Sequence, residues 1–159
     1  ITISTCGEVE GIKKLTRENL QVILAISLHA ANDQLRDRLI PLNRKYPLGM
    51  LLSAVEDYIA VTNRRVTFEY VLLEGVNNSC EDARDLIRLI KPLLANINLI
   101  PYNSVSGLDF SQPETDKVWQ FYNWLVQGGL NVTLREEKGA DIEAACGQLV
   151  MKKSGKNKQ

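Results

Sequence analysis

Short β-rich runs alternate with helix-patterned segments along the whole chain, and nothing else in the sequence limits the fold as tightly. A β-branched run, Ile1 to Ser4, gives way to a segment with Val9, Ile12 and Leu15 at helical spacing. LQVILAISLHA (Leu20 to Ala30) is almost uniformly apolar and is expected to be a strand buried on both faces. Asn32-Asp33 is set to cap a short helix carrying Leu35 and Leu39, which Pro41 stops. Pro47 suits a first helical position, followed by an apolar face of Leu48, Leu51, Leu52, Val55 and Ile59.

RVTFEYVLL (Arg65 to Leu73) reads as a third strand, closed by Gly75-Val76-Asn77-Asn78. Ser79 with Asp82 resembles a capping box opening the next helix, with Ala83, Leu86, Ile87 and Ile90 inward. NINLIPYN (Asn96 to Asn103) reads as a fourth strand, broken by Pro101. Ser111 with Glu114 has the spacing of a second capping box, for a helix with Val118, Phe121, Tyr122 and Leu125 that ends at Gly128-Gly129. LNVTLRE (Leu130 to Glu136) is the fifth strand.

Strand and helix in repeated alternation, joined by short connections, mean parallel strands with helices outside them, an α/β fold of repeated βα units. Five strands are too few for an eight-strand barrel, so the sheet is either open or a partial TIM-type barrel lacking its first strands. Polar residues collect where the strands finish: Ser4, Ser27, His29, Asn103 and Arg135. In βα-repeat folds the loops after the strands' C-terminal ends build the active site.

Composition narrows the classes. With 159 residues, 45% of them apolar, one substantial core is within reach. Lys+Arg and Asp+Glu balance at 19 each, so the overall charge does not mark a nucleic-acid binder. The basic end, MKKSGKNKQ, is the exception; residues 150–159 are expected to be a disordered tail, with a basic arm for phosphates as the functional alternative. Three cysteines at irregular spacing, Cys6, Cys80 and Cys146, argue against a disulfide framework and suit a reducing, cytoplasmic setting. No CxxC pair exists, and nothing approaches a membrane-spanning run or a signal peptide. The chain opens without Met and within a strand-like run, so it is expected to be a piece of a longer one.

Cys146 lies in GADIEAACGQL (Gly139 to Leu149). The small residues Ala144, Ala145 and Gly147 leave its thiol little side-chain bulk, which suits a sulfur that must meet another molecule. A buried, inert cysteine fits the local pattern as well.

Six motifs in order carry a specific resemblance: STCG, AISLHA, PLNRKYP, FEYVLLEGVN, NLIPYN and DIEAACGQL. Together they resemble the C-terminal part of the RlmN-type radical S-adenosylmethionine methyltransferases, across residues 1–149. The resemblance implies methylation of C2 of adenosine in 23S rRNA and tRNA. It implies that Cys146 becomes the S-methylcysteine intermediate, and that Ser4, Ser27, Leu28, His29 and Asn103 contact S-adenosylmethionine. Hydroxyl, amide and imidazole groups suit the ribose and zwitterionic ends of that cofactor. The Cys146 thiolate would take a methyl from one cofactor molecule. A 4Fe–4S cluster, fed by an electron donor, would cleave a second to the 5′-deoxyadenosyl radical, which activates that methyl for addition to the ring.

Departures from the family pattern matter too. The cluster-binding Cys-x3-Cys-x2-Cys motif, a resolving cysteine and a general-base carboxylate are absent, and in the family they lie upstream. The chain alone is therefore expected to be inactive. Cys6 stands where serine is usual and Glu10 where proline is common. Two other readings stay open: a C8-adenine rRNA methyltransferase of the antibiotic-resistance type, and a non-catalytic RNA-binding fragment. Glu69, mid-strand, is expected to face the barrel interior and meet a donor such as Arg135 in a structural role. Trp119 and Trp124 are expected to pack in or beside the core, and Cys80 to be inert.

Overall fold

The computed structural model describes residues 1–18 and 20–135. The expectations for Glu136, for Gly139 to Leu149 with Cys146, and for the tail at 150–159 fall outside the described residues.

Five strands, β1 (Thr2–Thr5), β2 (Ile23–Ser27), β3 (Val66–Leu72), β4 (Ala95–Pro101) and β5 (Val132–Leu134), form one parallel sheet in the order 1-2-3-4-5. Between them run α1 (Val9–Arg17), then α2 (Asp33–Leu39) and α3 (Leu48–Thr62), then α4 (Cys80–Ile90) and α5 (Thr115–Gln127). A parallel sheet whose order never reverses sends each right-handed crossover to the same side. Its helices accordingly share one face and its polar strand positions the other. This is the wall of a barrel, not a doubly wound sheet with a switch point.

Alternation along each strand divides the two faces. Leu24 and Ile26 of β2, Val66, Phe68, Tyr70 and Leu72 of β3, and Ile97 and Leu99 of β4 point into the helix layer. There they meet Val9 and Ile12 of α1, Leu51 and Val55 of α3, Leu86 of α4 and Phe121 of α5 in one continuous core. Tyr70 stacks on Phe121 with ring centroids 5.6 Å apart. Each fully buried large side chain of this kind contributes about 1.5–3 kcal/mol.

Three local expectations are corrected. The run from Leu20 to Ala30 is not a strand buried on both faces: only Ile23–Ser27 is strand, Leu20 and Ile23 are each 51% exposed, and Ser27 is half-buried. Pro47 sits at the N-cap of α3, one residue before its first turn. Ser111 and Glu114 make no capping box, because α5 starts at Thr115 with Glu114 at its N-cap and no side-chain cap bond. The box at Ser79 is real: its hydroxyl accepts from the Asp82 N–H at 3.1 Å, and the Asp82 carboxylate accepts from the Ser79 N–H at 2.9 Å. The Asn32 side chain caps α2, accepting from the Leu35 N–H at 2.8 Å.

Candidate functional site at the strand ends

The rim starts with the loop after β1. Thr5 Oγ1 accepts from the N–H groups of Gly7 (3.1 Å) and Glu8 (3.2 Å), folding the chain back toward α1. Gly7 takes a φ of 102°, a region that L side chains rarely adopt, and a Cβ there would lie 3.2 Å from Arg36 Nη2. Ser4 and Cys6 are left exposed at this edge.

Arg36, fully buried on α2, ties that loop to the next strand end. Its Nη2 donates to the carbonyls of Cys6 (2.9 Å) and Ser27 (3.0 Å), its Nε to Leu28 (3.1 Å), and its Nη1 to Asn43 Oδ1 (2.7 Å). Asn43, also buried, donates from Nδ2 to Asp33 (2.9 Å) and Asp37 (2.7 Å), so the two carboxylates balance the guanidinium through an amide relay. Burial disfavours the charge on Arg36, while Cys6, Asp33 and Asp37 favour it. The sequence reading passed over Arg36 and Asn43, since an arginine on a short helix reads as surface. The signal available was its place between two acids, Asp33 and Asp37, at helical spacing.

His29 leaves the strand with φ 58°, and its Nδ1 accepts the Val71 N–H of β3 at 3.1 Å. An Nδ1 that accepts carries no proton, so Nε2–H is the ring's donor. Burial, then the Arg36 charge, push its pKa down from 6.5 to about 4, against a smaller opposing pull from the Glu69 backbone. The ring is therefore neutral at pH 7. Buried Asn77 completes this corner: Nδ2 donates to the carbonyls of His29 (2.9 Å) and Val71 (2.7 Å), and Oδ1 accepts from the Leu73 N–H (2.7 Å).

Leu28 belongs to the core, with its N–H donating to the Glu69 carbonyl at 2.9 Å and its own carbonyl accepting from Arg36. After β4, the Tyr102 N–H donates to the Leu72 carbonyl at 3.1 Å, and Asn103 beyond it is half-buried. The Tyr102 hydroxyl is buried without a hydrogen-bond partner among the described residues. Ser4, Ser27, Leu28, His29 and Asn103 thus lie at the C-terminal ends of β1, β2 and β4, along one rim.

Below the rim, the sheet face turned away from the helices is polar. Strand pairing sets Ser4, Ala25, Thr67 and Asn96 in one row and Ser27, Glu69, Asn98 and Thr133 in the next. Glu69 is half-buried on this face, as expected, but no ion pair joins it to Arg135 among the described residues. The pairing puts Arg135 beyond the end of β5, two strands away and nearer the rim. Trp119 is also more open than expected, 49% exposed, whereas Trp124 packs against the core.

A cavity of about 880 Å³, lined by Lys13, Arg17, Asp57 and Arg64, opens at the opposite ends of the strands. None of Ser4, Ser27, His29 and Asn103 lines it. Among the described residues no group of three His, Cys, Asp or Glu side chains is placed to hold a metal ion, and no helix is long and apolar enough to cross a membrane.

No family model matches the chain. It is 68% identical over 149 residues to a protein of Syntrophomonas wolfei named probable dual-specificity RNA methyltransferase RlmN, covering 94% of this chain and 42% of that protein. Proteins of the same name from Caldicellulosiruptor saccharolyticus and Desulforudis audaxviator are 53% and 54% identical, over 94% of this chain and 43% and 47% of theirs. The chain spans less than half the length of these relatives. The crystal structure of a radical SAM methyltransferase from Sphaerobacter thermophilus matches with a TM-score of 0.90 at 49% identity, over 93% of this chain and 43% of that one. A domain of pyruvate-formate lyase-activating enzyme from Bacteroides vulgatus matches with a TM-score of 0.66 at 19% identity, over 85% of this chain and 80% of that one, which is a likeness of fold alone.

Proposed function

We propose that this chain, a homologue of the RlmN-type radical S-adenosylmethionine RNA methyltransferases over nearly its whole length, is the C-terminal part of such an enzyme and supplies its cofactor rim and its methyl-carrying cysteine. The reaction is methylation of adenosine C2 in 23S rRNA and tRNA. The observation that supports the reading is that Ser4, Ser27 and His29 at the ends of neighbouring β1 and β2, and Asn103 after β4 two strands further on, lie at the same end of one sheet, in a chain 68% identical to a protein of that name.

The donor set fits a nucleoside cofactor. Ser27 and Ser4 offer hydroxyls, Asn103 an amide, and neutral His29 a single N–H from Nε2. S-adenosylmethionine supplies the methyl group. The chain's own residues bind and orient it, and Cys146 receives the methyl as a thiolate. A direct polar transfer is unpromising, because C2 of adenine is not nucleophilic, and a covalent stop on cysteine answers that difficulty. Among the described residues no three His, Cys, Asp or Glu side chains are placed to ligate an iron–sulfur cluster, so these residues serve the S-adenosylmethionine side of the site.

The test is the mass of the Cys146 peptide from the full-length protein purified from its own cells, read with the position of the methyl on adenine in that organism's RNA. One extra methylene on Cys146 and 2-methyladenosine in the RNA are expected. An unmodified Cys146 overturns the covalent route, and 8-methyladenosine transfers the protein to the C8 class.

A further inference from the structure

Among the described residues Glu69 is an acid without a side-chain partner. It stands in β3 on the face away from the helices, half-buried, and neither a hydrogen bond nor an ion pair engages its side chain among the described residues. Its oxygens are not among the buried, unpartnered atoms, so the carboxylate is open to solvent and to a donor from a bound molecule. Strand pairing sets Ser27 on one side of it and Asn98 on the other, with Thr133 next in the row. Neighbouring strands lie about 4.8 Å apart, so the three side chains line a strip that one small polar group can bridge.

The chemistry of the strip is selective. A carboxylate only accepts, and its two oxygens take two donors side by side. Ser27 and Asn98 both donate and accept, which suits hydroxyl groups that do both. Adjacent hydroxyls on a sugar ring offer that combination, and acidic side chains read ribose hydroxyls in this manner in other nucleotide-binding sheets. The strip also lies directly below the rim: Ser27 is the last residue of β2, two positions before His29, and the Leu28 N–H fixes the Glu69 carbonyl at 2.9 Å. A nucleoside held at the rim therefore has its sugar within reach of the strip.

We propose that Glu69, between Ser27 and Asn98, receives the vicinal hydroxyls of the ribose of S-adenosylmethionine and so positions the cofactor on the sheet. The inference rests on the functional reading above and adds a residue to it. Glu69 is a binding residue here, not the partner of Arg135.

The experiment is equilibrium binding to the full-length protein, with S-adenosylmethionine and its 2′-deoxyribose analogue as probes and with the wild type, Glu69→Gln and Glu69→Ala compared. Loss of a charged acceptor predicts roughly 10- to 100-fold weaker binding of S-adenosylmethionine by either variant. The wild type is expected to prefer the ribose form by about tenfold or more, and both variants to lose most of that preference. The two variants are checked by circular dichroism, and the open-face location leaves at least one of them folded. If a folded variant keeps the full preference for the ribose form, or loses both probes equally, the proposal is overturned. An equal loss would mean that Glu69 meets the cationic end of the cofactor or acts structurally. If the wild type binds neither probe, the functional reading itself fails, and that outcome is distinct.

Discussion

The Val71 main-chain N–H points at Nδ1 of His29 from 3.1 Å, so a side chain takes the place that a continuing β2 backbone would have filled. The contact fixes the tautomer and exposes one donor, Nε2–H. Burial, followed by the Arg36 charge, makes the ring sensitive to acid. The folded-state pKa lies at about 4, below the ordinary 6.5. Between those values the unfolded chain binds a proton that the folded chain refuses, so stability is full above pH 6.5 and falls as the pH drops toward 4. The loss from this ring reaches about 3 kcal/mol. Urea midpoints of the full-length protein measured from pH 7 to pH 4 are expected to show this slope, and His29→Asn, which tolerates the left-handed backbone, is expected to flatten it.

Among the described residues Arg36 has four acceptors and no direct carboxylate. Replacing it by Met keeps much of the volume but orphans the carbonyls of Cys6, Ser27 and Leu28 and leaves the Asn43–Asp33–Asp37 relay without its cation. A destabilisation of about 3–5 kcal/mol is expected. Arg36→Lys is expected to recover only part of it, because an ammonium lacks the planar fork. Denaturant unfolding of the three proteins decides; equal stability of Arg36→Met and wild type would show that the clamp is incidental.

The two Ser–acid pairs of like spacing make a controlled comparison. Ser79→Ala removes a working cap and is expected to cost about 1 kcal/mol. Ser111→Ala removes no cap from α5 and is expected to cost less than about 0.5 kcal/mol through helix ends. Melting temperatures of the pair make the measurement, and equal shifts would contradict the assigned start of α5.

Gly128 closes α5 against α4. A Cβ added there would overlap Ile87 Cδ1 and lie 2.7 Å from Ile87 Cγ1. Gly128→Ala is expected to destabilise by about 1–3 kcal/mol, and adding Ile87→Ala should make the two effects markedly non-additive. Additive losses in the double mutant would place the strain elsewhere.

Strand–helix alternation was readable because both periodicities are strong in this chain: Val66, Phe68, Tyr70 and Leu72 alternate, and Leu51, Val55 and Tyr58 recur at helical spacing. The rim was readable for the same reason, since polar residues end the strands. β2 misled, because Ile23 and Ala25 are apolar on the open face as well and hide the alternation. Ser111 and Glu114 have the right spacing but the wrong place relative to the first turn of α5, which spacing cannot reveal. Arg36 was hard to read because it acts on carbonyls up to 30 positions away, with the flanking Asp33 and Asp37 as its one local signal, and Asn43 because it acts through the side chains of Arg36, Asp33 and Asp37. The expected Glu69–Arg135 pair failed for a related reason: both residues share a face, but strand pairing keeps them on different rows.

That division of faces separates two kinds of inheritance within single strands. In β3, Val66, Phe68, Tyr70 and Leu72 answer to the helix layer, while Thr67, Glu69 and Val71 answer to whatever lies on the open face. A lineage can therefore rewrite the odd-numbered positions of this strand, and with them the character of the open face, while the even-numbered ones continue to hold the protein together.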